Sequence, residues 1–138
     1  MLSESSVTDI KGICELSELR ILNLSNNKKI SNLYELKDAK FKNLIELYLS
    51  NCNIKDPEKI KISEFKFYYL KILDLSNNDM TILRPSTDIF KNLQTLIFAC
   101  NNLENESELS ELSEINPNCK IVKSNNNFKY EFEKKNKI

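Results

Sequence analysis

Histidine and tryptophan are absent from this 138-residue chain, glycine occurs once, and arginine stands only at positions 20 and 84. Without histidine the commonest general base and metal ligand is missing, so triad and metal chemistry lose most of their support. The lone Gly12 cannot build a phosphate-cradling loop or a dinucleotide fingerprint, each of which needs several glycines. Cys14, Cys52, Cys100 and Cys119 never approach CxxC spacing and form no dense disulfide framework. No stretch nears the roughly 18 consecutive apolar residues of a membrane span, and zero formal net charge supplies no global field toward nucleic acid or membrane. The opening MLSESSVTDI lacks a charged segment followed by an apolar run, which argues against a secretory signal and for a cytoplasmic or nuclear location. Carboxylates are abundant, yet the only acidic neighbour the repeat frame offers Asp74 is Glu46, offset by one pleat step. That reads as two solvated strand residues rather than an acid–base pair. No enzymatic activity, catalytic residue, metal or cofactor is expected.

What is present is a recurrence. LRILNLSNN begins at Leu19, LIELYLSNC at Leu44, LKILDLSNN at Leu70 and LQTLIFACN at Leu93. Each is followed by an apolar residue past the Asn/Cys site: Ile30 (one residue late), Ile54, Met80 and Leu103. A weaker fifth copy, CKIVKSNNN from Cys119, puts Cys119, Val122 and Ser124 at the leucine sites and Asn127 at the asparagine site. Leu22 and Leu24, Leu47 and Leu49, Leu73 and Leu75, and Leu96 and Phe98 are each two apart, so both members of a pair fall on one face of a strand. A single such strand cannot cover its own apolar face. Stacked copies can, at roughly 1.5–3 kcal/mol for each fully buried leucine-sized side chain.

The asparagine site has its own physical task. Where the chain leaves a strand and turns inward, backbone groups lose their ladder partners. An amide that both donates and accepts can satisfy them, so Asn27, Asn78, Asn101 and Asn127 are expected to form a buried ladder, with the thiol of Cys52 as a weaker substitute in the second copy.

The LxxLxLxxN pattern resembles the leucine-rich repeat family over nearly the whole chain, from about Leu2 to Asn127. Spacings of 23–26 residues with LSNN- or LSNC-type centres are similar to the intracellular branch that includes regulators of protein phosphatase one and the A-prime protein of the spliceosomal U2 particle. The resemblance implies an α/β solenoid over residues 1–127, with a parallel β-sheet on the concave face and short helices, 3-10 turns and loops on the convex face. Residues 128–138 would form a capping strand or tail.

Between the strands, Val7, Ile10, Ile13 and Leu16 recur every three residues, as do Ile30, Leu33 and Leu36, which suits short helical or 3-10 turns. The segment from Asp56 to Leu70 surrounds Phe65, Phe67, Tyr68 and Tyr69 with Lys55, Lys59, Lys61 and Lys66. Such a mixture can contact single-stranded nucleic acid, or simply bury its aromatic side in a bulging convex segment. Neutral charge and scarce arginine favour the second reading, leaving nucleic acid as a partner chiefly within a ribonucleoprotein. Downstream, Leu109, Leu112 and Ile115 recur at helical spacing, three residues apart, with Glu108, Glu111 and Glu114 on the other side, predicting a short amphipathic helix that stops near Pro117. In the tail, Phe128, Tyr130 and Phe132 alternate with charged residues and are expected to cover the open end of the solenoid.

Function in such a frame belongs to the surface that stacking creates. Positions that point away from the core include Arg20, Ile21, Asn23, Glu46, Tyr48, Ile72, Asp74, Thr95, Ile97, Ile121 and Lys123. A solvent-facing strand surface should be polar, but Ile21, Tyr48, Ile72, Ile97 and Ile121 interrupt it with a partly apolar stripe rimmed by charge. The sequence therefore points to a non-enzymatic module that binds a protein partner through its concave sheet. The alternative is a structural or regulatory subunit of a larger assembly, such as a ribonucleoprotein, held through convex and terminal surfaces.

Overall fold

The computed structural model describes residues 7–56, 60, 62–84 and 87–126. Five three-residue strands, β1 (Ile21–Asn23), β2 (Glu46–Tyr48), β3 (Ile72–Asp74), β4 (Thr95–Ile97) and β5 (Lys120–Val122), form one parallel sheet in sequence order. Leu22, Leu47, Leu73 and Leu96 pair directly across neighbouring strands and are buried, as are Leu24, Leu49, Leu75 and Phe98 two residues on. The period-two reading thus sets the register. Layer-to-layer hydrogen bonding also outruns the strands: Leu24, Leu49, Leu75 and Phe98 each donate a backbone N–H to the next repeat at 2.8–2.9 Å.

The returning segments are brief. The described ones include 3-10 turns at Ile13–Glu15, Leu33–Asp38 and Ile62–Glu64, then α1 (Thr87–Phe90) and α2 (Ser107–Ile115). Leu33 and Leu36 reach the core from the second turn, while Leu109 and Leu112 do so from α2. Ile115, expected to join them, is exposed, because it occupies the last position of the helix where the chain is already turning away. Glu108 does not simply face solvent either: its carboxylate accepts the backbone N–H groups of Leu83 at 2.7 Å and Arg84 at 3.2 Å in the preceding repeat. The convex aromatic segment divides. Phe65, Phe67 and Phe41 are buried in a row, with Phe67 at centroid distances of 5.0 Å from Phe65 and 5.6 Å from Phe41, whereas Tyr68 and Tyr69 lie outside. Lys59 and Lys61 fall outside the described residues.

The asparagine ladder is present, and it couples layers. Asn78 accepts the N–H groups of Cys52 and Ile54 at 3.0 Å each and donates to the carbonyls of Leu49 at 3.0 Å and Leu75 at 2.9 Å. Asn101 repeats the arrangement with the Met80 N–H at 3.1 Å and the Leu75 carbonyl at 2.9 Å. The Cys52 thiol donates to the Leu24 carbonyl at 3.2 Å but offers no amide oxygen to the turn before it. That turn is one residue longer than its counterparts, and there the Ile30 N–H bonds to the Asn27 carbonyl at 3.4 Å instead. Substitution and insertion are therefore matched.

A second row escaped the sequence reading. Asn26, Asn51, Asn77, Cys100 and Asn125, one residue before each ladder site, all have positive φ, between 53° and 64°. Asparagine enters this left-handed region more readily than other residues with a Cβ, which explains the asparagine doublets at 26–27, 77–78 and 125–126.

The same row corrects the fifth repeat. Its left-handed residue is Asn125 and its ladder residue is Asn126, whose amide oxygen accepts the Leu103 N–H at 3.1 Å and whose nitrogen donates to the Phe98 carbonyl at 2.8 Å. Asn127, expected as the last rung, lies outside the described residues. The true frame begins at Asn118, so Ile121 pairs with Leu96 and faces inward, while Val122 pairs with Ile97. Lys123 takes the site of Phe98 and forms an ion pair with Glu106 at the start of α2. Neither Ile121 nor Lys123 therefore belongs to the concave face. Asn118 and Lys123 at leucine sites make the final layer partly polar, leaving a cleft of about 250 Å³ beside Leu109, Cys119 and Ile121. The expected cap at 128–138 lies outside the described residues.

Candidate functional site

Two rows of side chains cross the concave face. One runs Ile21, Glu46, Ile72, Thr95, Lys120; the other, two residues further along each strand, runs Asn23, Tyr48, Asp74, Ile97, Val122. Ile21, Tyr48, Ile72 and Ile97 therefore do not form one file. They alternate between rows, so that Glu46 separates Ile21 from Ile72 and Asp74 separates Tyr48 from Ile97. The apolar feature is a zigzag extended by Val122, not Ile121. Neighbouring Cβ atoms on adjacent strands are about 5 Å apart and diagonal ones about 7–8 Å apart, so these side chains still make a continuous diagonal band.

Exposure grades along it. Ile21 is 54% exposed at the sheet edge, while Tyr48, Ile72 and Ile97 are half-buried between neighbouring strands. The Tyr48 hydroxyl donates to Glu46 Oε2 at 2.6 Å, which holds the ring across the first row. This bond, followed by burial and the negative charges of Glu46 and Asp74, pushes the Tyr48 phenol up to about 12. Asp74 Oδ1 accepts the Ser76 N–H at 2.9 Å and the Ser76 hydroxyl at 2.7 Å. Ser76 and Ser50 hydroxyls lie 3.1 Å apart, tying one layer to the next. The two acids are engaged with hydroxyls and with backbone, an arrangement that fixes side-chain positions and presents acceptors to a partner. Asn23 likewise has its side-chain oxygen turned to its own backbone, accepting the Ser25 N–H at 2.9 Å.

Basic residues flank the strands at their N-terminal ends. Arg20 is exposed just before β1, Lys71 precedes β3, and Lys120 opens β5. The face thus combines an apolar diagonal, an acidic centre at Glu46 and Asp74, and cationic margins. Of the eleven residues the sequence nominated, nine remain there. Val122 was missed because Ile121 and Val122 are adjacent apolar residues in a copy without leucines, and either phase fits them. The asparagine run at 125–127 does not settle that phase by itself. Among the described residues no helix is long and apolar enough to cross a membrane.

Comparison with known proteins agrees with this geometry. The family model described as Leucine Rich Repeat matches residues 43–66 and 69–88, which contain the second and third copies of the motif. The chain is similar to Protein PAC2 of Saccharomyces cerevisiae, with 34% identity over 109 residues, covering 74% of this chain and 21% of that protein. It therefore spans about a fifth of the length of that curated relative. No solved structure matches significantly. With the strand register, the asparagine ladder and the matched repeats together, this chain belongs to the leucine-rich repeat family.

Proposed function

We propose that this protein is a non-enzymatic interaction module that holds a protein partner on its concave sheet. Leucine-rich repeat domains generally mediate protein–protein interaction and are typically non-enzymatic. The observation that carries the finer reading is the diagonal from Ile21 through Tyr48 and Ile72 to Ile97: four large apolar side chains on a surface where a solvated sheet would carry polar ones. Tyr48 is the best anchor, since a ring held by its hydroxyl loses little freedom on binding and aromatic residues dominate interface energetics. The polar rim at Asn23, Asp74 and Thr95 supplies orientation.

The test is affinity capture by the purified chain, with co-purifying proteins identified and compared among variants. Tyr48→Ala combined with Ile72→Lys removes the centre of the diagonal. Lysine suits position 72 because Glu46 is its cross-strand neighbour, whereas aspartate there would place like charges side by side. Capture should be lost with little change in melting temperature. Charge reversal at Glu111 and Glu114, exposed on α2, should leave capture intact; Glu108 is kept unchanged because it holds the preceding repeat. Release of the partner by the α2 change alone would favour the assembly-subunit alternative, in which convex surfaces make the contact.

A further inference from the structure

The loops that enter the strands make a second surface, beside the concave face and meeting it at the margin of Arg20 and Lys71. In successive repeats these loops place Ser17 and Glu18, then Lys42 and Asn43, then Tyr68 and Tyr69, then Lys91 and Asn92, in equivalent positions directly before Leu19, Leu44, Leu70 and Leu93. Buried Phe41, Phe67 and Phe90, one step earlier, anchor three of the loops in the core. The intervening side chains are thereby held outward.

Three properties coincide on this edge. It carries a cleft of about 660 Å³, walled by Lys40, Lys42, Lys66 and Tyr68 over Ala39 and Phe41, with Ser17 and the Lys40-paired Glu15 at its side, well within the size range of ligand-binding pockets. It carries two large exposed rings: Tyr68 is 56% and Tyr69 63% exposed. Tyr68 lines the cleft, and Tyr69 lines an adjoining hollow of about 300 Å³ with Arg20, Asn43 and Ile45. It also carries cations without matching anions. Lys40 is paired with Glu15, and Glu18 accepts from the Asn43 amide at 3.1 Å. Lys42, Lys66, Lys71 and Lys91 form no ion pair among the described residues. In a chain of zero net charge, a local excess of lysine around two unused phenols is a specific arrangement.

We propose that this edge docks a short acidic polypeptide segment containing one large apolar side chain, the carboxylates meeting Lys42, Lys66 and the tyrosine hydroxyls while the apolar group enters the cleft over Phe41. Lysine and tyrosine both donate to carboxylates. Three repeat layers at roughly 4.8 Å each span about 10–15 Å, the length of about four extended residues. Charge complementarity alone also fits a nucleic-acid strand, but that partner is less well served: Arg20 is the sole guanidinium on this edge, and so short a row of lysines neutralises few phosphates.

The probe is a fluorescein-labelled peptide of glutamates flanking a single phenylalanine, titrated with the chain at low ionic strength and followed by anisotropy. Saturable binding is expected, weakened at least about tenfold by Lys42→Glu with Lys66→Glu. Tyr68→Ala should also weaken it, and the milder pair Lys42→Gln with Lys66→Gln should fall between the parent and the reversal. Tyr48→Ala with Ile72→Lys on the concave face should leave it unchanged, so this edge and the concave reading fail or stand separately. Absence of saturable binding, equal binding by the reversal pair, or tighter binding of a short oligothymidylate than of the peptide would each overturn the proposal.

Discussion

The Tyr48 hydroxyl lies 2.6 Å from Glu46 Oε2, two residues back along the same strand, so the largest side chain on the concave sheet is tethered by its neighbour. The tether favours the protonated phenol, and the Tyr48 pKa is accordingly pushed up from 10.0 to about 12. A raised folded-state value means that the stabilisation is fully present below the ordinary tyrosine range near pH 10 and is lost as pH rises toward 12. Ultraviolet titration of the tyrosines should therefore show one late-ionising phenol. Glu46→Gln should bring it back toward the ordinary range. A titration unaffected by that change would mean that the contact does not control the ring.

A matched pair of irregularities in the first two repeats leads to a second expectation. At Cys52 the ladder lacks an amide oxygen, and the longer preceding turn satisfies its own Ile30 N–H on the Asn27 carbonyl. Cys52→Asn alone should destabilise the fold by about 1 kcal/mol, because the new oxygen meets only the Asn27 N–H that already faces the sulfur, while the second donor of the regular ladder, here the Ile30 N–H, stays on the Asn27 carbonyl. Deleting Lys29 in the same chain should recover much of that loss by restoring the common turn length. Denaturant melts of the two single variants and the combination measure the coupling. Simple additivity would show that the two features are unrelated.

The corrected phase of the last repeat is equally open to measurement. Asn126→Ala removes the acceptor for the Leu103 N–H and the donor to the Phe98 carbonyl. With the site only half-buried, it should cost about 1 kcal/mol, less than the same change at fully enclosed Asn78. If Asn127→Ala proved the costly change and Asn126→Ala the neutral one, the fifth repeat would be misphased here.

Those examples also show what the sequence made legible. Leu22, Leu47, Leu73 and Leu96 announced the register because a pair of leucines two apart has only one sensible orientation in a strand that buries a single face. Leu109 and Leu112 announced α2 by their helical spacing. The fifth copy was ambiguous: it has no leucine, two adjacent apolar residues and three consecutive asparagines, so its phase shows only in space, in the pairing of Ile121 with Leu96 and the bonds of Asn126. Glu108 was opaque for a different reason. Its partners are backbone groups of Leu83 and Arg84 in another repeat, and a carboxylate on a helix face looks the same in sequence whether it meets solvent or caps a neighbouring loop. The diagonal course of the concave band was implicit in the frame, since Ile21 and Ile72 stand at the third position and Tyr48 and Ile97 at the fifth. The left-handed asparagines were hidden beside the ladder residues, where a doublet could be taken for redundancy.

The most direct test of the concave-binding account is photo-crosslinking in cells from a benzophenone side chain placed singly at Ile21, Tyr48 or Ile72, with Glu111 and Glu114 on α2 as the comparison. The account predicts that the three concave positions yield the same crosslinked partner and that the α2 positions do not. The partner band from Ile72 should disappear when Tyr48→Ala is added. Crosslinks confined to α2, with none from the concave strands, would contradict the account and place the working interface on the convex side.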